Sequence, residues 1–319
     1  MNIKNTLYLL VLIAILGPSS LYGQKEIQKT FNGIKEIRLT TASGNCTIKK
    51  SGSAAVIVDL KHTYDDDEYT PSLTQEGDRL VIKEKFHSNN SSGSADWTLT
   101  VPDNLDIEFT TGSGDVEASG LSMDLRATTG SGNFVFTNTT GEIKGNTGSG
   151  NVELENVDGT INATSGSGGF RVSKSKGELH LTSGSGNFKL SESAAIFHVT
   201  TGSGSINGGA LALNGSSGFT TGSGKAEIGL ASSPKYDLSV TSGSGDAIVN
   251  FNGNEINGEI VMRASKKHGN IEAPFTFDKT EEINNSGGNN TTVQKTAIKG
   301  NGKPRIAIST GSGDAVLKK

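Results

Sequence analysis

The sequence predicts an all-β protein: a right-handed parallel β-solenoid (β-helix) with 18-residue coils and a capping N-terminal β region. Three observations carry this expectation. A TTGSGD-type row recurs at a fixed spacing of 18 residues, apolar residues alternate with polar ones in two short stretches per row, and Gly punctuates every row so that no 3.6-residue period survives. The composition fits a folded chain: 319 residues with 43 Gly, 33% hydrophobic, 19% charged and a net charge of −4 leave little self-repulsion. There is no basic excess of the kind that nucleic-acid binding needs. A single Cys excludes an internal disulfide framework and a Cys-based zinc site.

Residues 1–23 read as a secretory signal peptide. Lys4 supplies the positive start, residues 7–16 form the apolar run, Gly17 and Pro18 break it, and Gly23 precedes a cut ahead of Gln24. The run is too short for a membrane span, which needs about 20 residues, and no Cys near the cut directs lipid attachment. The mature chain is therefore expected to be exported, to the periplasm, the cell surface or the medium, with no transmembrane segment.

Residues 24–109 read as an N-terminal β-strand cap, with alternating stretches at 37–39, 46–48, 56–60, 80–82, 97–101 and 105–109. Cys46 follows an outlying TTASGN row at 40–45 and is expected to be a small buried apolar residue. The acidic run 65–68 reads as a solvated hairpin loop.

Residues 110–264 hold the regular repeats. Rows open at 110, 128, 146, 164, 182 and 200, and looser rows follow at 220 and 241. Position 7 of the row reads Val116, Phe134, Val152, Phe170, Phe188, Ile206, and position 16 reads Leu125, Ile143, Ile161, Leu179, Phe197. Two strands and two turns per row make one flattened coil, and coils stacked about 4.8 Å apart give a rod of roughly 40 Å. Gly at positions 3 and 5 is expected to supply positive φ at a sharp corner; a second Gly, at 141, 159 and 177, marks the other turn. One row cannot bury its own apolar face, so several must fold together. Residues 265–319 are expected to form C-terminal coils with a polar loop at 276–303, closed by strands at 306–308 and 315–317.

The stretch TVPDNLDIEFTTGSGDVEASG at 100–120, followed by serial TGSGN coils, resembles a bacterial family known as putative adhesins. The resemblance covers nearly all of the mature chain and implies a secreted or envelope-linked β-strand-repeat protein with no assigned activity and no catalytic residues to carry over. It also implies a second possibility, because some relatives are linked with cell-envelope stress responses.

Position 17 places Arg126, Lys144, Asn162, His180 and His198 on one outer face, with Asp124, Glu142, Thr160 and Glu178 beside them at position 15. His180 and His198 fall one strand spacing apart, and with Glu178 they are the candidate metal ligands or acid–base pair. The simpler reading is a solvated charge ladder, and no metal and no cofactor is expected. Position 6 carries Asp115, Asn133, Asn151, Gly169, Asn187 and Ser205. That column has too few acids for the calcium-binding β-roll unit and reads as an Asn ladder at a turn. GSGK at 222–225 lacks the leading Gly and the Ser/Thr of a P-loop.

The function expected from all this is a non-enzymatic, exported β-solenoid. It acts as an adhesin or surface-binding scaffold of the cell envelope, with Arg126, Lys144, Asn162, His180, His198, Asn133, Asn151 and Asn187 as its binding ladder and an envelope polymer or protein as partner. Two alternatives stand beside it: a cell-envelope stress sensor or regulator acting through a protein partner, and a carbohydrate-active enzyme using the charged face. The 18-residue coils offer little loop length from which to build an enzyme's cleft.

Overall fold

A computed structural model describes residues 24–88, 91–284 and 291–319. The signal-peptide reading of residues 1–23 falls outside them. The described residues form strands and turns with no helix, all joined into one long sheet that wraps back on itself, so none is a helix long and apolar enough to cross a membrane.

The repeats build two facing walls. In the first wall, Met123–Thr129, Thr140–Thr147, Asp158–Ser165, Lys176–Ser183 and Ala194–Thr201 pair side by side, all parallel. In the second, Val116–Ser119, Phe134–Thr137, Val152–Glu155, Phe170–Ser173 and Phe188–Ser191 do the same. Like positions meet like: Leu125 sits beside Ile143 and Ile143 beside Ile161, while Phe170 sits beside Phe188. The period-2 alternation decides which face is buried. Positions 7, 9, 16 and 18 point between the walls, and Phe134, Ile143, Leu154, Leu179 and Phe197 are almost wholly inaccessible. In-register stacking brings equal side chains face to face, and the Phe170 and Phe188 rings lie parallel at 4.6 Å.

The corner that joins the walls is held by a device repeated in the rows that open at 128 through 241. The Thr or Ser at position 2 is buried. Its hydroxyl accepts from the N–H of its own row's position-5 Gly and donates to the carbonyl of the previous row's position-5 Gly. Thr147 Oγ1, for example, accepts from Gly150 N at 2.9 Å and donates to Gly132 O at 2.9 Å. Thr129, Ser165, Ser183 and Thr201 repeat the pattern. Each hydroxyl therefore shapes its own turn and ties it to the coil below.

The glycines of this turn differ from expectation. Those at positions 3 and 5 do not have positive φ. They are needed because each coil's turn lies directly on the one below, and a Cβ at Gly150 would overlap the carbonyl oxygen of Gly132. Positive φ belongs to the opposite corner, at Gly141 (122°), Gly159 (143°) and Gly177 (91°), and in the left-handed region at Asn138 (53°), Asn156 (52°), Lys174 (52°), Glu192 (49°) and Ala210 (52°).

Both ends depart from chain order. The outlying row at 40–45 stacks directly on the first regular row: Leu39 pairs with Phe109 and Cys46 with Val116, so part of the expected cap is itself a coil. Cys46 is buried there. Arg79–Phe86 and Ala95–Val101 add one more parallel layer. Pairing then turns antiparallel through Tyr69–Glu76, Val56–His62 and Lys25–Phe31.

At the other end, the strands expected to close the stack lie one layer inside it. Arg305–Thr310 sits between Leu238–Ser242 and Gly258–Ser265, and Ala315–Lys318 between Ala247–Asn250 and Ile271–Glu272. The stretch 276–303 is not simply a polar loop. Lys279–Asn284 and Thr291–Lys299 pair antiparallel, and the second also pairs antiparallel with Gly258–Ser265, finishing the end. Thr291–Lys299 is half-buried along most of its length, with Ala297 buried and Ile298 exposed, so no alternating burial marks it as a strand.

Candidate functional site

The first wall turns positions 15, 17 and 1 outward. Arg126, Lys144, Asn162, His180 and His198 form one column there, each beside the next on the neighbouring strand. The lower part of this face is charge-compensated. Arg126 Nη1 lies 3.1 Å from Asp106, Lys144 Nζ 2.5 Å from Glu142, and Glu36 receives both Arg38 (2.6 Å) and Arg79 (2.7 Å). Hydrogen bonds from Arg38 and then Arg79 hold the Glu36 carboxyl below the usual carboxylate range. Asn162 and Thr160 make an uncharged step. Alongside runs an exposed column of Thr110, Thr128, Asn146, Thr164, Thr182 and Thr200.

Above the uncharged step the column changes character. His180 Nε2 lies 2.8 Å from Glu178 Oε1, and His198 Nε2 lies 3.8 Å from that same oxygen. The two imidazoles stack with centroids 4.5 Å apart and planes 13° from parallel. One ligand atom from each of the three residues lies within 4.8 Å of the others, and the three side chains are 41–45% exposed. Beyond His198 the column empties to Gly218, Ser239 and Ala307. A shallow depression of about 330 Å³ opens there, lined by His198, Gly218, Ser239 and Arg305 among others.

Asn133, Asn151 and Asn187 stand apart from this face, where the corner enters the second wall. Their side-chain carbonyls are committed to backbone: Asn133 Oδ1 accepts from Asn151 N, Asn151 Oδ1 from Gly169 N, and Asn187 Oδ1 from Ser205 N. Asp115 and Asp246 do the same for Asn133 and Asp314. The position-6 column thus closes backbone donors that the corner would leave open, while the position-17 column faces outward. Sequence reasoning missed the position-2 hydroxyls. Their signal was present, a Thr or Ser directly before every GSG, but Thr and Ser are also ordinary turn residues.

A protein-family model described as Toastrack DUF4097 matches residues 34–273. Among solved structures, a protein of Bacteroides fragilis described as a putative adhesin is 12% identical over 92% of this chain and 96% of that one, with a TM-score of 0.33. A putative adhesin of Parabacteroides distasonis is 12% identical over 72% and 89%, at 0.37. A putative lipid-binding protein of the same organism is 13% identical over 93% and 96%, at 0.29. No curated protein sequence matches.

Proposed function

The chain belongs to the Toastrack DUF4097 family, and on that premise we propose that it is a non-enzymatic, exported β-solenoid that binds an envelope or surface polymer along the outer face of its first wall. The observation that carries this reading is the pair of outward columns at positions 17 and 1, which repeat polar side chains at one strand spacing over consecutive coils. A repeating polymer matches such a ruler, because each unit meets polar side chains at the same spacing one or two coils further on. The charges of the face are largely paired among themselves. It therefore offers hydrogen bonds rather than a net field, which suits a glycan better than a polyanion.

The same reading includes right-handed winding, the default for parallel crossovers, with a coil of eighteen residues. It divides the chain into a signal peptide at 1–23, a cap region at 24–109, regular coils at 110–264 and C-terminal coils at 265–319. Export follows from the signal peptide.

The test is binding of the purified protein to an array of glycans and envelope polymers, with calcium and with chelator. The expected result is saturable binding to one polymer class. Replacing Arg126, Lys144 and Asn162 together by Ala should weaken it at least ~10-fold, whereas replacing any one alone should have a small effect. Absence of binding in both conditions would overturn the proposal.

A further inference from the structure

We propose that Glu178, His180 and His198 form a site for a divalent transition-metal ion of the zinc or nickel class. This inference goes beyond the polymer-binding reading and does not depend on it.

The fold itself makes the site. Residues one coil apart occupy the same pleat of neighbouring parallel strands, so His180 and His198 leave the sheet side by side, and Glu178, two residues before His180, faces the same way. The result is one carboxylate oxygen 2.8 and 3.8 Å from two Nε2 atoms whose rings already lie parallel. Small rotations of three half-exposed side chains bring these atoms to metal–ligand distances of about 2.0–2.2 Å, with no movement of the backbone. Two imidazoles and one carboxylate are the donor set of open zinc sites, in which water or a substrate completes the coordination. Imidazole nitrogen suits zinc, nickel and copper, while calcium and magnesium call for oxygen ligands throughout.

The rows below argue against a mere charge ladder at this point. There, Asp106 is taken by Arg126 and Glu142 by Lys144, and Asp124 accepts from the backbone N–H of Glu142. Among the described residues, the ion-pair partners of Glu178 are the two histidines alone. The neighbours do not compete: Asn162 lies on one side of His180, Gly218 on the far side of His198, and Ile196 beside Glu178. A Cβ at Gly218 would meet nothing within 4 Å, so His198 borders open space and the 330 Å³ depression. An exchangeable coordination position has room there. Of the five histidines, His180 and His198 are the pair so placed, and no other group of three metal-ligating side chains is as close among the described residues.

The experiment is calorimetric titration of the protein, purified without a polyhistidine tag, with Zn²⁺ and Ca²⁺ in turn, and Co²⁺ as a visible-absorption probe. One Zn²⁺ per chain should bind, Co²⁺ should show the d–d bands of low coordination number, and Ca²⁺ should give no saturable heat. His180→Ala, His198→Ala and Glu178→Gln should each weaken Zn²⁺ binding by more than the ~10-fold that loss of an outer-shell partner costs. Their thermal unfolding in chelator should match the parent's, because all three side chains are surface-exposed. Failure of the parent to bind Zn²⁺ would overturn the proposal, as would unchanged binding in the His180→Ala/His198→Ala double variant.

Discussion

Thr147 and Thr139 show how differently one side chain can serve in neighbouring turns. Both are buried, but Thr147 Oγ1 bridges Gly150 N and Gly132 O, whereas Thr139 Oγ1 has no hydrogen-bond partner. Valine keeps the shape of threonine and removes the hydroxyl. Thr147→Val leaves a buried N–H and a buried carbonyl unpaired and should cost about 1–3 kcal/mol, while Thr139→Val removes only an unsatisfied group and should be neutral or stabilising. Denaturant midpoints of the two variants check this, and equal losses would mean that the hydroxyl bridge does not hold the corner. The candidate ligands belong to the same scale. Glu178 is set apart from Glu142 not by its own exposure but by what stands at position 17 beside it, His180 instead of Lys144.

Coils and caps place different demands on the sequence. A coil needs a buried hydroxyl, two glycines pressed on the coil below, and apolar residues at four positions, and each requirement recurs every 18 residues. The regular rows, the inward columns and the shared column of Arg126, Lys144, Asn162, His180 and His198 were therefore legible from spacing alone. The order of stacking at the ends was not. Thr40 finds Thr110, and Leu238 finds Ile306, across long insertions, and no local signal names such distant partners. The hairpin of Lys279–Asn284 and Thr291–Lys299 was hidden because its second strand is half-buried along most of its length and carries no apolar alternation. Contact between both His side chains and one carboxylate oxygen depends on rotamers, which spacing does not specify.

The antiparallel strands at the N-terminal end also carry a pH dependence. Burial, and after it Lys25, push the His62 imidazole below its ordinary value of 6.5. The unfolded chain then takes up the proton first, so this contribution to stability is complete above about pH 6.5 and is lost as the pH falls toward the folded value. The thermal midpoint should drop between pH 7.5 and pH 5. His62→Phe, which keeps a ring against Tyr69, should flatten that drop, and an unchanged slope would place its cause elsewhere.

At the scale of the whole molecule, the polar columns, the cluster of Glu178, His180 and His198 and the shared core all follow from a single geometric fact: consecutive coils lie in register, so position in the row fixes position on the surface. Stability should likewise be a sum over neighbouring coils, with the antiparallel layers at both ends covering edges that would otherwise recruit another chain. The most direct test is a ruler laid along the first wall. Spin labels on cysteines replacing Glu108, Asn162, His198 and Ser239 report outward positions of successive strands, and Cys46 is buried, its thiol pushed up by burial, so it should stay unlabelled. Distances from the label at Glu108 should grow in proportion to coil number, to about 14, 24 and 34 Å at 4.8 Å per coil. Distances that fail to grow in that proportion would contradict in-register stacking, and with it both the binding face and the metal site.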